Sequence, residues 1–378
     1  MQDLLNQLTK IRKTLHAHPE LSGQEFETQK RIIAFLEEHT RAEIIQMAKT
    51  AVLVKFRGEK QGPTIMLRAD TDALPIQEIN TFAHQSTKPG VSHKCGHDGH
   101  TSIMLGMAKM LDNTPPMKGE VWLIFQPAEE NGLGAQSVLN DPKFDISQID
   151  WVFALHNLPG VEKHQIVVKE GPFTGHVSTA IIKLHGKTAH AAEPEKGYNP
   201  STSITKILQW AEAHTHNVPT DDSFFLITPV YLTMGEMAYG ISAGYGEVHL
   251  TIRSWSTDLF QEKCGQFTSY IHEVCDANTI RAEIAWEEEF FSNINDGSAV
   301  ENVIAAAHTN KLDLHIAEQP FKWGEDFGLF TQKSKGAMFG LGAGKSLPAL
   351  HNPDYDYPDD ITETGIYMFL EIAKQHNY

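Results

Sequence analysis

The chain alternates between apolar segments with a two-residue period and segments with helical spacing. Apolar residues three and four positions apart predict helices over 2–16 and 24–39, separated by a Pro/Gly turn, HPELSG. Apolar runs then predict strands at 51–58 and 63–72, with the sequences AVLVKFRG and PTIMLRADTD. Because strands alternate with helices, this part of the chain favours an α/β domain with a mainly parallel sheet.

The pattern changes from about residue 173. Strand, helix, strand, strand, helix and strand follow one another, and the last strand is IRAEIAWEEEF at 280–290. This βαββαβ order is typical of a ferredoxin-like domain. After about residue 290 the α/β character resumes. The sequence therefore predicts two domains, one formed by 1–172 plus 290–378 and the other inserted at 173–289.

Composition excludes several classes of protein. Hydrophobic residues make up 41% of the 378 positions and charged residues 21%, as in ordinary globular proteins. The net charge of −17, without a compensating basic patch, argues against nucleic-acid binding. The apolar runs are too short to cross a membrane, and the N-terminus lacks the apolar stretch of a signal peptide. Three cysteines are too few for a disulfide framework, so we expect a cytoplasmic protein.

Metal-capable side chains follow three of the predicted strands. Asp70 and Asp72 come after one strand, Glu129 and Glu130 after the next, and His156 after a third. Open α/β sheets bind ligands at the ends of their strands, so these groups are expected at one edge of the sheet.

The segment HKCGHDGH, 93–100, places Cys95 and His97 two positions apart. Its two glycines predict a turn rather than a regular helix. Three interpretations compete: a metal site, a cysteine nucleophile beside a histidine, or a polar loop. The nucleophile interpretation leaves the glutamate pair and His156 unexplained, so the metal interpretation is favoured. Thiolate and imidazole suit zinc, whereas carboxylates also admit manganese.

The adjacent glutamates can take different chemical roles, one as a metal ligand and the other as a proton acceptor. In a loop after a strand, Glu130 can bind metal while Glu129 faces a water molecule, which is what metal-assisted hydrolysis requires. An isolated pair of glutamates is more often a solvated acidic turn. His156 and His351, in LHNLPG and LHNPDYD, are similarly weak evidence when each is taken alone.

Two residues of the predicted inserted domain are further candidates. His190 lies before a Pro/Gly-rich turn in HGKTAHAAEPEKGYNP and is expected to be exposed. It would take part in catalysis only if its domain closed over the site or over that of a partner. Arg253, at the end of a strand, is either a ligand for a substrate carboxylate or a surface charge.

The motifs taken together resemble a known family. In order they are LHAHPELSGQE, LRADTDALPI, HKCGHDGHT, FQPAEENGLGA, LHNLPG, HGKTAHAAEP, GEDFG and LHNPDYDYPDD. This order is similar to that of the hippurate hydrolase and auxin-conjugate amidohydrolase group, a branch of the superfamily of aminoacylases and di-metal carboxypeptidases. The resemblance extends from about residue 10 to 370.

The resemblance implies specific roles. Two divalent metal ions, zinc or manganese, would be held by Cys95, His97, Glu130, His156 and His351. Glu129 would be the general base and acid. His190 would stabilise the oxyanion, commonly across a dimer formed by the inserted domain. Asp70 and Glu325 would support the site without binding metal, and Arg68 stands where the wider superfamily has a histidine ligand.

The implied fold is a di-metal exopeptidase-like α/β fold, with a mixed sheet flanked by helices and an inserted ferredoxin-like lid or dimerisation domain. The implied activity is hydrolysis of the amide bond of N-acyl amino acids or similar small amides by a metal-activated water, with Glu129 as general base. Alternatives are a metallo-dipeptidase or carboxypeptidase, a thiol enzyme, and a non-catalytic protein that binds a small ligand. The chain lacks the Asn-x-x-Pro signature before the Arg253 strand, and Gly324 replaces a family serine, so substrate preference stays open.

Overall fold

The computed structural model describes residues 1–378, which form nine α-helices and sixteen strands. The helices are α1 (Gln2–Ala17), α2 (Phe26–His39), α3 (His97–Asn113), α4 (Gly134–Leu139), α5 (Ser201–His214), α6 (Thr257–Ala277), α7 (Gly297–Thr309), α8 (Gly328–Thr331) and α9 (Thr362–Asn377). None of them combines the length and the apolar composition that a membrane span requires.

The first eight strands are β1 (Glu43–Met47), β2 (Ala51–Arg57), β3 (Lys60–Asp70), β4 (Lys118–Gln126), β5 (Trp151–Pro159), β6 (Ile166–Val168), β7 (Gly171–Thr174) and β8 (His176–His185). The others are β9 (Ala189–His190), β10 (Phe225–Met234), β11 (Ile241–Ser242), β12 (Tyr245–Ser254), β13 (Arg281–Phe290), β14 (Asn293–Asn295), β15 (Leu314–Ile316) and β16 (Lys335–Gly344).

The chain divides into two compact units. Unit 1 contains 1–173, 293–318 and 325–378, and unit 2 contains 174–292 and 319–324. Unit 1 is built on an eight-stranded sheet in the order β1-β2-β4-β3-β5-β16-β6-β15. The four central strands from β4 to β16 run parallel, whereas β1, β2 and β6 introduce antiparallel pairs. The sheet is therefore mixed, with a parallel centre.

The two faces of this sheet carry different side chains. In β3, Ile65, Leu67 and Ala69 belong to the main hydrophobic core, to which α1, α2, α3, α7 and α9 also contribute. Successive side chains of a strand point to opposite faces, so Arg68 and Asp70 lie on the face away from that core. The same alternation applies along β4 and β5. Polar groups at the ends of these strands therefore gather on one face without disrupting the core.

One detail of the fold differs from the prediction. The segment 93–100 was expected to avoid a regular helix, but α3 begins at His97 and includes Gly99. Gly96 ends the turn with a left-handed φ of 94°. A Cβ atom at Gly99 would lie 2.2 Å from the Tyr357 ring, so the close approach of Tyr357 explains a glycine inside this helix.

Unit 2 contains a four-stranded antiparallel sheet in the order β10-β12-β8-β13. Its elements follow the chain as β8, α5, β10, β12, α6 and β13, which is the βαββαβ order expected from the sequence. Alternate residues of β12 are buried, and α5 and α6 pack on that face to form a second hydrophobic core. The Ser256 side chain caps the start of α6 by accepting the N–H of Leu259 at 3.2 Å.

Candidate metal centre

The five predicted metal ligands converge in unit 1. The sulfur of Cys95 lies close to nitrogens of His97 and His156, and also close to Glu130 and His351. Within each of these groups of three, the ligand atoms lie within 4.8 Å of one another. Because one cysteine belongs to both groups, the arrangement offers two neighbouring places for a cation.

The separations between these atoms suit shared metal ions. Cys95 Sγ is 3.5 Å from His156 Nε2, His97 Nε2 is 3.7 Å from Glu130 Oε1, and His351 Nε2 is 3.6 Å from Glu130 Oε2. Two ligands of a tetrahedral ion, each about 2.0–2.3 Å from the metal, lie roughly 3.5 Å apart. The separations of these side-chain atoms therefore fit divalent ions.

Two of these atoms have no hydrogen-bond partner although they are buried. They are His97 Nε2 and Glu130 Oε1, which face each other across the centre. Buried polar atoms are nearly always satisfied, and an unsatisfied pair of this kind indicates a missing partner. A metal ion between imidazole and carboxylate satisfies both atoms.

The electrostatics of the site also favour cations. Burial and the charge of Asp72 raise the pKa of Glu130 to about 8, although His97 opposes this shift. Burial alone would lower the pKa of His97, but Asp70, Asp72 and Glu130 raise it to about 10. Without metal, the site therefore retains protons to offset its crowded carboxylates, and a divalent ion can take their place.

Glu129 lies beside the ligands and has a strongly perturbed environment. Its side chain is only 5% exposed, and its Oε2 is 3.9 Å from His97 Nε2. Burial raises its pKa well above the usual range, and the charges of Glu325, Glu130 and Asp326 add to this effect. A carboxyl group with a raised pKa next to a metal centre is suited to accept and then return a proton.

Asp72 orients two of the ligands, a role that sequence reasoning missed. Its Oδ1 is 3.2 Å from His97 Nδ1, and its Oδ2 accepts the backbone N–H of Glu130 at 3.0 Å and the Ser22 hydroxyl at 2.7 Å. A carboxylate on the far nitrogen of a ligand histidine fixes the tautomer and directs the other nitrogen to the metal. The available signal was its position at the end of a buried strand.

Asp70 and Glu325, the predicted supporting residues, meet at the buried guanidinium of Arg68. Arg68 donates to Asp70 Oδ2 at 2.7 Å, to Glu325 Oε1 at 2.9 Å and to Asp326 Oδ1 at 2.8 Å. The other oxygen of Asp70 is 2.6 Å from His100 Nδ1. Arg68 thus supplies a fixed positive charge among these three carboxylates.

The environment of Cys95 argues against a thiol enzyme. Burial raises the pKa of its thiol well above the usual range, and the charges of Glu130, Glu129 and Asp70 raise it further. Nucleophilic cysteines need the opposite, an electropositive setting that lowers the pKa. In this setting a bound cation favours the thiolate, which is consistent with a ligand role.

His190 and Arg253, the remaining predicted site residues, belong to unit 2. His190 is exposed on β9, and its Nδ1 accepts the N–H of Ala192 at 3.0 Å. Arg253 is half-buried on β12 and donates from Nε to the carbonyl oxygen of Lys322 at 3.0 Å. Gly324, which replaces the family serine, has the side chain of Phe290 within 2.7 Å of the position that a Cβ would occupy.

Comparison with known proteins gives a consistent picture. N-acetyl-L-cysteine deacetylase of Bacillus subtilis is 31% identical over 99% of this chain and 89% of its own length. IAA-amino acid hydrolase ILR1-like 4 of Arabidopsis thaliana is 27% identical over 99% of this chain and 86% of its own. A crystal structure of a dinuclear metal-binding M20 peptidase from Bacillus subtilis superposes with a TM-score of 0.83 at 28% identity, covering 99% and 98% of the two chains.

Fold and site together define a metal-dependent hydrolase that holds two divalent ions and cleaves amide bonds in small molecules. The chain belongs to peptidase family M20/M25/M40, whose model matches residues 66–375. The predicted resemblance, fold class and pair of metal ions are thereby confirmed. The interpretation as a non-catalytic binding protein is set aside.

Proposed function

We propose that the protein hydrolyses the amide bond of N-acyl amino acids. The observation that carries this proposal is the position of the buried Glu129 carboxyl group, whose Oε2 lies 3.9 Å from His97 Nε2, beside the predicted metal ligands. The relatives named N-acetyl-L-cysteine deacetylase, N-acetylcysteine deacetylase and IAA-amino acid hydrolase support the substrate class. N-acetylcysteine carries an acyl group on the amino nitrogen of a small amino acid.

In the proposed mechanism, Cys95, His97, Glu130, His156 and His351 hold two divalent ions. The ions, when bound, supply electrophilic activation of the carbonyl and of a water molecule. The Glu129 carboxylate accepts a proton from the attacking water and returns it to the leaving nitrogen. The buried contacts of Asp72 and Asp70 keep the ligands and their neighbours in place through these steps.

His190 is proposed to donate a hydrogen bond to the developing oxyanion. Its Nδ1 already accepts the Ala192 N–H, which in the neutral ring leaves the proton on Nε2. Arg253 is proposed to bind the substrate carboxylate, because its Nε contact with Lys322 orients the guanidinium. Unit 2 would then serve as a lid, and unit 1 as the catalytic domain.

A homodimer formed through unit 2 is part of the proposal. β10 is an edge strand of the unit 2 sheet, and its Val230, Tyr231 and Leu232 are 55%, 49% and 53% exposed. The opposite edge, β13, instead carries a run of glutamates, which protects an edge from pairing. We expect Leu232→Lys to shift the molecular mass measured by light scattering from dimer to monomer. An unchanged mass would exclude this edge as the dimer contact.

A substrate panel tests the proposed activity. Protein stripped with a chelator should lose hydrolysis of N-acetyl and N-benzoyl amino acids, and should regain it with Zn²⁺ or Mn²⁺. Dipeptides should be cleaved more slowly, because their acyl portion carries a free amine where the proposed substrates carry an uncharged acyl group. Preference for free dipeptides would indicate a dipeptidase instead. A reducing cytoplasmic setting, which we also propose, is supported by three buried free cysteines.

A further inference from the structure

The N-terminal motif LHAHPELSGQE has no part in the proposed chemistry, yet its first histidine is fully buried. His16 lies at the end of α1 and has 0% exposure. Arg12, one turn earlier on the same helix, is 1% exposed. Charged groups are rarely buried without specific partners, so the contacts of these two residues indicate what α1 holds.

The segment 94–98, called the ligand turn below, contains the predicted ligands Cys95 and His97. Lys94 and Asp98 flank these two ligands and are both buried. The Lys94 ammonium contacts the Glu78 carboxylate and donates to Asn80 Oδ1 at 3.1 Å. On the other flank, Asp98 Oδ2 is 2.9 Å from His16 Nδ1 and accepts from Arg12 at 3.4 Å. The ligand turn is therefore held at both ends by charged pairs.

His16 connects these two flanks. Its Nε2 is 3.0 Å from Glu78 Oε1, while its Nδ1 faces Asp98. A closed ring of contacts thus runs from Lys94 to Glu78, to His16 and to Asp98. The short chain segment with Cys95 and His97 completes the ring.

The same lysine also fixes the loop that carries His351. The carbonyl oxygen of Lys94 accepts the His351 N–H at 2.8 Å, and its ammonium donates to the carbonyl oxygen of Tyr355 at 2.8 Å. His351 has a left-handed φ of 65°, a conformation that a non-glycine residue rarely adopts without such support. Lys94 therefore holds the loop at 351–355 in two ways, through its backbone carbonyl at His351 and through its ammonium at Tyr355.

We propose that Lys94, Glu78, His16 and Asp98 form a positioning network through which α1 sets the metal affinity of the centre. Buried ion pairs contribute little net stability compared with apolar residues of similar size, so stability alone does not account for the three pairs that these residues form. The turn itself has a glycine at its middle, Gly96 with a φ of 94°, and needs external contacts to keep one shape. The proposal concerns how metal is held and goes beyond the choice of substrate.

Lys94→Met tests the proposal, because it removes the ammonium and keeps most of the apolar stem. Metal-free full-length protein is titrated with Zn²⁺ in competition with a chromophoric chelator. We expect affinity to fall about 10–100-fold, the usual effect of removing a partner that orients metal ligands. The rise in melting temperature on adding Zn²⁺ should shrink accordingly.

Asn377→Leu is the matched control for a general loss of stability. This buried asparagine donates to the carbonyl oxygens of Pro63 and Lys118 at 2.9 Å each. Pro63 is seven residues before Asp70 on β3, which places the control roughly 23 Å from the metal end of that strand. The control should lower the melting temperature of the metal-free protein and leave Zn²⁺ affinity unchanged.

His16→Gln provides a second route, since His16 touches no ligand and lies 79 positions before Cys95. We expect its Zn²⁺ affinity to fall about 10-fold as well. If Lys94→Met does not fold, the Zn²⁺ affinity of His16→Gln alone tests the proposed network. Zn²⁺ affinity equal to that of the natural protein, in a variant with a lowered melting temperature, would overturn the proposal. Because Zn²⁺ binding is measured directly, the result is independent of whether N-acyl amino acids are the substrates.

Discussion

The two units use polar side chains in opposite ways. In unit 1 the polar groups of the centre are buried, and their contacts join distant parts of the chain. The pair of Arg68 and Glu325, for example, is separated by 257 positions. In unit 2, His190 is exposed, and its imidazole accepts the N–H of Ala192, only two positions away.

Buried polar contacts suit the holding of metal ligands, whereas exposed polar groups suit contact with a substrate. Metal ligands must keep fixed spacing before the ion arrives, so unit 1 surrounds them with interlocking buried contacts. A proposed oxyanion donor such as His190 must be accessible, and its contact with the nearby Ala192 N–H is enough to orient the imidazole. We therefore expect changes at the supports in unit 1 to alter metal affinity, and changes at His190 and Arg253 in unit 2 to alter turnover or substrate binding while metal affinity stays the same.

The largest expected effect is that of Glu129→Gln. Loss of the proposed proton carrier should lower kcat about 10²–10⁴-fold, while two ions per chain remain by elemental analysis. Glu129 also lies within reach of His97 and Glu130 as a candidate ligand, so the metal content distinguishes the two roles. Loss of one ion would reassign Glu129 as a ligand.

His190→Ala tests the unit 2 side of the comparison. Removal of an oxyanion donor should lower kcat about 10²–10³-fold, with Zn²⁺ affinity unchanged. His272→Ala, at an exposed histidine of α6 in the same unit, is the control and should behave like the natural protein. Equal kcat values for the two variants would remove His190 from the mechanism.

Asp72→Ala tests whether the buried contacts of unit 1 set the metal affinity. His97 loses the acceptor for its Nδ1, and the Glu130 backbone loses its anchor, so Zn²⁺ affinity should fall about 10–100-fold. Asp145→Asn, at an exposed aspartate of unit 1, should leave it unchanged. Competition with a chelator measures the Zn²⁺ affinity of both variants. An Asp72 variant with full affinity would show that unit 1 does not depend on these contacts.

The smallest expected effect is a pH dependence of stability from His16. Burial opposes its charged form, but Asp98, Glu78 and Asp356 raise its pKa from 6.5 to about 9. A raised folded-state pKa gives stability that is complete below pH 6.5 and is lost as pH rises through about 9. Other charged or titratable groups face the same site. Arg12 also contacts Asp356, Lys94 also contacts Glu78, and His84 and His93 lie beside the His16 imidazole.

Melting temperatures of the metal-free protein between pH 6 and 9.5 measure this contribution. The natural protein should lose more stability over this range than His16→Gln, by several degrees at about 2–4 °C per kcal/mol. His39→Gln, at the end of α2, is the control and should follow the natural protein. Parallel curves for the natural protein and His16→Gln would show that the charge on His16 does not stabilise the fold.

The sequence predicted much of the centre because the relevant signals are local. A strand ends where its apolar alternation ends, so Asp70, Glu130 and His156 could be placed at one edge of a sheet. The start of α3 at His97 was missed, because the close approach of Tyr357 to Gly99 joins positions 258 apart, counted from 99 to 357. Propensity alone counts glycine against a helix.

By itself, the sequence determined which segments form helices and strands and where the βαββαβ order interrupts the α/β alternation. It also determined which residues are able to bind metal. These follow from backbone preferences and side-chain period, which neighbouring residues fix. Only the tertiary structure decided that Asp72 orients His97, that Arg68 neutralises Asp70 and Glu325, and that α1 reaches the ligand turn through His16. Such pairings depend on which distant side chains share a buried space, and burial makes each charge select a partner.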